Sequence, residues 1–198
     1  NMRERVERKQ HITKEFDNKE EFELNWVEAS AHPIGAVGLW NSMIKIIKMA
    51  KEKGDDIIVI CEDDHYFTEN YSPKLLFKEV TEAYIQGAEV LSGGIGGFGQ
   101  AIPAGYHRYK VDWFWCTQFI VIYNRFFDKM LDYSFQNTDT ADGVISKLAT
   151  NIMVIYPFIS EQKDFGYSDV TQSNMEQQGK IREHFARANK HMKSISLK

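Results

Sequence analysis

Glu62, Asp63, Asp64 and His65 stand in a row directly after the apolar run Ile57-Ile58-Val59-Ile60-Cys61. Three adjacent carboxylates repel one another unless a cation or strong donors compensate them. Ligands of open α/β sheets bind just beyond the carboxyl ends of strands, so a buried strand here aims the acids at a cleft. With the chain extended for two more residues, Glu62 and Asp64 project to one side and Asp63 and His65 to the other. One pair then suits a divalent cation and the other a sugar or ribose hydroxyl. His65 is left out of the metal shell, because an adjacent residue in an extended strand points away. The plain alternative is a surface turn of solvated acids.

Three further segments carry groups that do chemistry. Gly93, Gly94, Gly96, Gly97 and Gly99 follow a second apolar segment and let backbone approach a ligand closely. Their spacing departs from GxGxxG and no Lys-Ser/Thr follows, which disfavours a dinucleotide or P-loop site and leaves a mobile loop over a substrate or a structural turn. Trp113-Phe114-Trp115-Cys116-Thr117-Gln118-Phe119, after Asp112, mixes flat rings with polar groups, a combination that binds sugars, although alternate rings in a strand also build cores. Thr140-Ala141-Asp142-Gly143 sets a carboxylate in the first turn of a helix, where the helix dipole favours an acid and a general base is the functional alternative.

The elements that must position these groups alternate between helical and extended. Arg3 to Phe16 reads as a helix, preceded by a strand that begins at or before Asn1, and Asn25 to Ala29 as a short strand. His32 to Gly38 forms a turn opening a helix over Leu39 to Lys53, with Trp40, Met43, Ile44 and Ile47 inward. Ile57 to Cys61, β-branched and continuous, predicts a central parallel strand buried on both faces. Ser72-Pro73 caps a helix running to Gln86, and Glu89-Val90-Leu91 starts the next strand. Val111 to Trp115 and Phe119 to Tyr123 read as strands, Phe126 to Leu131 as a helix capped by Asn124, Ala141 to Ala149 as another, and Ile152 to Tyr156 as a final strand. The order is that of an α/β protein with no internal repeat.

At 198 residues, 43% hydrophobic and 26% charged, the chain has the means to bury a core and is the size of one domain. No apolar run approaches the roughly 20 residues of a membrane-spanning helix. Cys61 and Cys116 cannot make a disulfide framework, so a reducing cytoplasm is expected, with both thiols free and buried. Net charge is −4, but Lys180, Arg182, Arg187, Lys190, Lys193 and Lys198 face only Glu183 at the C-terminal end. The acidic body argues against nucleic acid as a partner. Ile181, Phe185, Ala188 and Met192 recur at helical spacing among those cations, which suits either peripheral contact with an anionic membrane or a terminal helix docked on its own domain.

Taken in order, these residues resemble the GT-A nucleotide-diphospho-sugar glycosyltransferases, particularly the lipopolysaccharide-type enzymes of glycosyltransferase family 25. Asn1-Met2-Arg3-Glu4-Arg5 to Arg8 is similar to the family's Asn-Leu-x-x-Arg-x-x-Arg start, and Gly35-Ala36-Val37-Gly38-Leu39-Trp40-Asn41-Ser42 to its Gly-x-x-Gly segment before a helix. The apolar strand with Glu62-Asp63-Asp64, then Thr140-Ala141-Asp142, then Pro157 to Gln162 with Ser168-Asp169-Val170 complete the series. The Ser-His pair common after the family's Gly-x-x-Gly is absent.

The resemblance implies a single GT-A-like α/β domain over residues 1–198, with a mixed, mostly parallel central sheet flanked by helices and a basic C-terminal helix or tail from about residue 175. It implies transfer of a sugar from a nucleotide diphosphate donor, a UDP-sugar foremost, to a glycan or lipid-linked acceptor of surface polysaccharide or lipopolysaccharide. Glu62 and Asp64 would hold Mn²⁺ or Mg²⁺ on the diphosphate, with Asp63, Arg5 and Arg8 toward the nucleotide. Asp142 is the expected base of an inverting transfer and Asp112 the reserve. Gly94, Gly97, Trp113, Trp115 and Gln118 are the expected contacts of donor or acceptor sugar. A non-catalytic carbohydrate- or nucleotide-binding module on the same fold is the alternative. A phosphoacceptor signalling domain is weaker, because no matching lysine follows a late strand.

Overall fold

Helical spacing and caps account for most of the helices in the computed structural model, which describes residues 1–167 and 179–196. Helix α1 (Val6–Glu15) buries Arg8 and Ile12. Helix α2 (Gly35–Lys53) buries Trp40, Met43, Ile47 and Ala50 and stops at Gly54, whose φ of 77° is the left-handed conformation glycine adopts at a helix end. It starts four residues earlier than its apolar spacing indicates. The Ser72 side chain accepts the Leu75 N–H at the start of α3 (Pro73–Ile85), and Thr140 accepts that of Gly143 at the start of α5 (Ala141–Leu148). Asn124 is not a cap: it lies inside α4 (Asn124–Leu131), and its amide donates to Asp56 Oδ1 instead.

Strands β1 (Ile57–Cys61), β3 (Val90–Ser92), β4 (Ala101–Pro103), β5 (Arg108–Val111), β6 (Phe119–Tyr123) and β7 (Ile152–Ile155) form one sheet in the order β1-β6-β3-β7-β5-β4. Strands β2 (His65–Phe67) and β8 (Ser160–Gln162) pair antiparallel beside it. Side-chain alternation divides the core. Ile120 and Ile122 of β6 join residues of α2, α4, α5 and α6 (Lys180–Ser196), whereas Phe119, Val121 and Tyr123 join Ile12 and Phe16 with Leu76 and Ala83 of α3. The result is an α/β fold with a mixed sheet flanked by helices.

Several expectations are corrected. The sheet is mixed but not mostly parallel: among the described residues only β3 and β7 pair parallel, because burial on both faces makes an apolar run whichever way its neighbour points. β1 is an edge strand antiparallel to β6, with Ile57 and Val59 37% and 36% exposed, not a central one. Asn25 to Ala29 forms no strand, although Asn1 is bonded on both sides of Glu28, donating to Val27 O and accepting from Ala29 N. The ladder expected through Trp115 ends at Val111, since Asp112 Oδ1 gathers the N–H groups of Gly99, Gln100 and Trp113 into a tight loop.

Helix α6 buries Phe185, Ala188 and Met192 against its own domain, which removes the apolar stripe that a membrane surface would need. None of the described helices is long and apolar enough to cross a membrane. Ser168-Asp169-Val170 lies outside the described residues.

One buried ion pair ties α3 to β5. Arg108 and Glu79 are both fully buried and bonded to each other, and Arg108 also reaches Glu82 at 3.3 Å. Removing one partner strands the other charge in the interior. Arg108→Met is therefore expected to lower stability by about 3–5 kcal/mol, read as an earlier midpoint in urea unfolding; an unmoved midpoint would refute a closed pair.

Candidate functional site

β1 hands the chain to the acids and the chain then turns. Glu62 N still donates to Gln118 O at 3.0 Å, continuing the ladder with β6, but His65 N donates back to Glu62 O at 3.2 Å. The segment is a turn and not the extended strand expected, and the acids do not alternate between two sides. His65 leaves the turn into an aromatic pocket, bonded to Ser160 Oγ (2.8 Å) with Phe67 and Phe119 against its ring. Burial lowers its pKa to about 3, so it stays neutral there and outside the acid cluster.

Side chains from three distant parts of the chain converge on the three carboxylates. Arg8 of α1 lies with Nε 2.7 Å from Asp63 Oδ1 and bonds Asp64 Oδ2 with its terminal nitrogen. Asn1 donates to Asp63 Oδ2 (2.7 Å), Gln162 of β8 to Asp64 Oδ2 (2.8 Å), and Thr117 to Glu62 Oε1 (2.5 Å). Asp64 is 5% exposed, and its Oδ1 is buried with no partner among the described residues. Burial, followed by repulsion from Asp64, pushes Glu62 up to about 8. Burial raises Asp64 as well, against the pull of Arg8. Burial also works against the Arg8 charge, but Asp64 and Asp63 outweigh it and hold the guanidinium protonated.

The acids are thus short of positive charge on the Glu62 side. Among the described residues no group of three His, Cys, Asp or Glu forms a ready cage for a metal. A hard cation shared between one or two carboxylates and phosphate oxygens is the arrangement that Mg²⁺ commonly takes. Glu62, with its raised pKa, and Asp64, with its orphaned Oδ1, fit that kind of site.

Asp142 joins the same end of the sheet through residues 114–117. Phe114 N donates to Ser146 Oγ (3.2 Å) and Cys116 N to Asp142 Oδ2 (3.1 Å), one turn apart on α5, while Trp115 exchanges backbone bonds with Gly96 and Gly97 on the other side. Cys116 has φ of 77°, a strained left-handed conformation for a non-glycine residue, and the chain bends there toward Thr117 and its bond to Glu62. Cys116 therefore links the acid cluster to Asp142. Its thiol is pushed up by burial and by the Asp142, Glu62 and Asp64 carboxylates. In sequence Cys116 shows only as a free thiol; the strain that marks it is a property of the fold.

Other expected contacts are placed differently. Gly93 to Gly96 are buried, so the first part of the glycine run is a packing segment and not a mobile loop, while Gly97 and Gly99 are half-buried. A Cβ on Gly94 would strike the Ser160 carbonyl, and one on Gly97 would sit 2.7 Å from Trp115 Cε3. Gln118 is buried, its amide nitrogen donating to Gly94 O (3.0 Å) and Ser160 Oγ (3.2 Å), while its Oε1 is buried with no partner among the described residues. Asp112 is occupied by its loop. Arg8 faces carboxylates and not an open phosphate site, while Arg5 lies 4.4 Å from the Tyr167 ring centre. Trp113 and Trp115 do reach the surface, with Phe114 between them in the core. Two surface hollows, about 430 and 490 Å³, lie on the outer faces of α2 and α1 and include none of these residues.

No protein-family model matches this chain, and no curated protein sequence is similar to it. Solved structures with a distant likeness include two of UDP-glucose pyrophosphorylase. Apo UDP-glucose pyrophosphorylase is 10% identical with a TM-score of 0.47, over 84% of this chain and 64% of that one, so this chain spans just under two thirds of its length. UDP-glucose pyrophosphorylase complexed with UDP-glucose is 10% identical with a TM-score of 0.47, over 92% of this chain and 72% of that one.

Two outcomes test this geometry. Gly94→Ala is expected to destabilise the fold by about 1–3 kcal/mol in equilibrium unfolding, whereas a mobile loop would tolerate it. A carboxyl whose native pKa exceeds its unfolded value holds its proton longer when folded, so the Glu62 contribution to stability is present at low pH and lost as pH rises from about 4.5 to about 8. Glu62→Gln, which retains an acceptor for Thr117, is expected to raise Tm by about 5 °C near pH 8.5 and leave it unchanged near pH 4. Differential scanning calorimetry across pH measures this; equal shifts at both pH values would contradict it.

Proposed function

We propose that the protein is a metal-dependent glycosyltransferase, moving a sugar from a nucleotide diphosphate donor, a UDP-sugar foremost, to a glycan or lipid-linked acceptor of surface polysaccharide or lipopolysaccharide assembly. The observation that carries the reading is the under-compensated pair Glu62 and Asp64, held at the same end of the sheet as Asp142. The ordered resemblance of the sequence motifs to family 25 supports the same reaction. The two free cysteines support a reducing, cytoplasmic setting.

Glu62 and Asp64 would hold Mn²⁺ or Mg²⁺, which supplies Lewis-acid neutralisation of the diphosphate as the sugar leaves. The chain's own residues do the rest. Arg8 keeps Asp63 and part of Asp64 neutralised, so that repulsion does not drive the turn apart. Asp142 is oriented by the N–H groups of Cys116 and Gly143 (2.8 Å), and from there takes the proton of the incoming acceptor hydroxyl. Attack opposite the leaving diphosphate inverts the sugar carbon.

A second reading, a binding module on the same fold, draws support from Arg8, whose guanidinium already stands where a cation would otherwise serve both Asp63 and Asp64. Isothermal titration with UDP separates the two. For the enzyme, Mn²⁺ is expected to strengthen UDP binding at least about tenfold, and Asp64→Asn to abolish that gain. Metal-independent binding with no turnover of any UDP-sugar would favour the module, and an unchanged Mn²⁺ effect in Asp64→Asn would remove the basis of the metal site.

A further inference from the structure

Trp115 is an exposed tryptophan fixed on a rigid mount. It is 47% exposed, although its backbone is bonded on both sides, N to Gly97 O (3.1 Å) and O from Gly96 N (2.9 Å). The benzo half of its indole lies over the Gly97 α-carbon, where any Cβ would collide with Cε3 at 2.7 Å. Trp113 stands beside it with ring centres 5.2 Å apart and planes inclined at 49°. His184, from α6, meets the indole edge-to-face at 5.6 Å and 87°, and its Nδ1 has no partner among the described residues. Gly96 makes room for this wall, since a Cβ there would meet Cys116 Sγ at 2.7 Å and His184 Cβ at 3.5 Å.

We infer that this corner, Trp115 with Trp113 and His184 as its walls, is the subsite for a pyranose ring of the acceptor glycan. A flat indole held immobile loses little entropy on stacking, and the C–H face of a pyranose matches it. The assignment to acceptor and not donor follows from the neighbour: the residue after Trp115 donates its N–H to Asp142, the carboxylate that must touch the acceptor hydroxyl. The acidic turn lies further along, past Thr117. The partial exposure of Trp115 suits an acceptor whose remaining chain runs out into solvent. His184 is a positioning residue that keeps the indole upright. The inference rests on the glycosyltransferase reading for the word acceptor, but the sugar contact itself is tested without nucleotide or metal.

The test uses the full chain carrying Trp26→Phe, which removes another exposed indole from the signal. Methyl glucoside, galactoside, mannoside and N-acetylglucosaminide are titrated to about 100 mM, the range that a millimolar single-ring contact demands. The expected result is saturable quenching of tryptophan fluorescence by at least one glycoside, with saturation-transfer NMR from its C–H protons. Trp115→Ala is expected to weaken that affinity about tenfold or more. His184→Ala is expected to weaken it and His184→Phe, which keeps an edge-to-face ring, to restore it. Gly97→Ala, which displaces the indole without removing it, is a second variant in case the first unfolds. No saturable response to any glycoside, or one undiminished in Trp115→Ala and Gly97→Ala alike, overturns the subsite. Failure of Mn²⁺-dependent UDP binding with the sugar response intact overturns the donor reading alone.

Discussion

Repulsion between consecutive carboxylates at the end of an edge strand is the constraint around which this end of the molecule is organised. Glu62, Asp63 and Asp64 occupy one turn, and water reaches Asp64 hardly at all. Left alone, such a turn would unfold or protonate. It persists because Arg8 comes from α1, Gln162 from β8, Thr117 from the approach to β6, and Asn1 from the start of the chain. Elements far apart in sequence are pulled to one point by charge, and the compensation is unequal. Asp63 and one oxygen of Asp64 are satisfied, while Glu62 and the other oxygen of Asp64 are left wanting positive charge.

The glycine-rich segment solves the adjoining packing problem. Between β3 and the 114–117 segment the chain must pass directly beneath β8 and beside Cys116, and at each of these contacts a side chain would collide with backbone or sulfur. Small residues at a close approach look in sequence like a loop waiting for a ligand. Here their partners are protein atoms, and they brace the floor on which Trp115 and Asp142 are carried. Rigidity at that floor is useful to a site, since a carboxylate and an aromatic ring act on a sugar only if their separation is held.

The terminal helix shows how one pattern serves two readings until the tertiary structure chooses. An apolar stripe among cations suits a lipid surface or a protein surface equally well, because both accept the same side chains. Phe185 and Met192 take the second option and enter the core beside β4 and β8, leaving Arg182, Arg187, Lys190 and Lys193 in solvent. In doing so the helix delivers His184 to Trp115, a contact between parts of the chain with no link in sequence.

Helix α3 was legible to its cap, because Ser72 and Pro73 state their role locally, and so was β6, whose apolar run is long enough to show. The three-residue strands β2, β4 and β8 were not: no periodicity develops over so short a span, and the equally short β3 shows only because its Val90-Leu91 pair follows closely on the end of α3. The acid triplet and Asp142 were marked by residue type and by the elements preceding them. The sequence by itself therefore determined where α3 and α5 begin, which runs are buried and which carboxylates are candidates, all matters of local preference and hydrophobicity. Only the tertiary structure decided that β1 is an edge, that β6 runs antiparallel to it, that Gln118 and the glycines face inward, and that Arg8 answers Asp63 and Asp64. Burial leaves its mark on a sequence, but direction, neighbours and charge pairing are relations between distant segments, and these exist only once the chain has closed on itself.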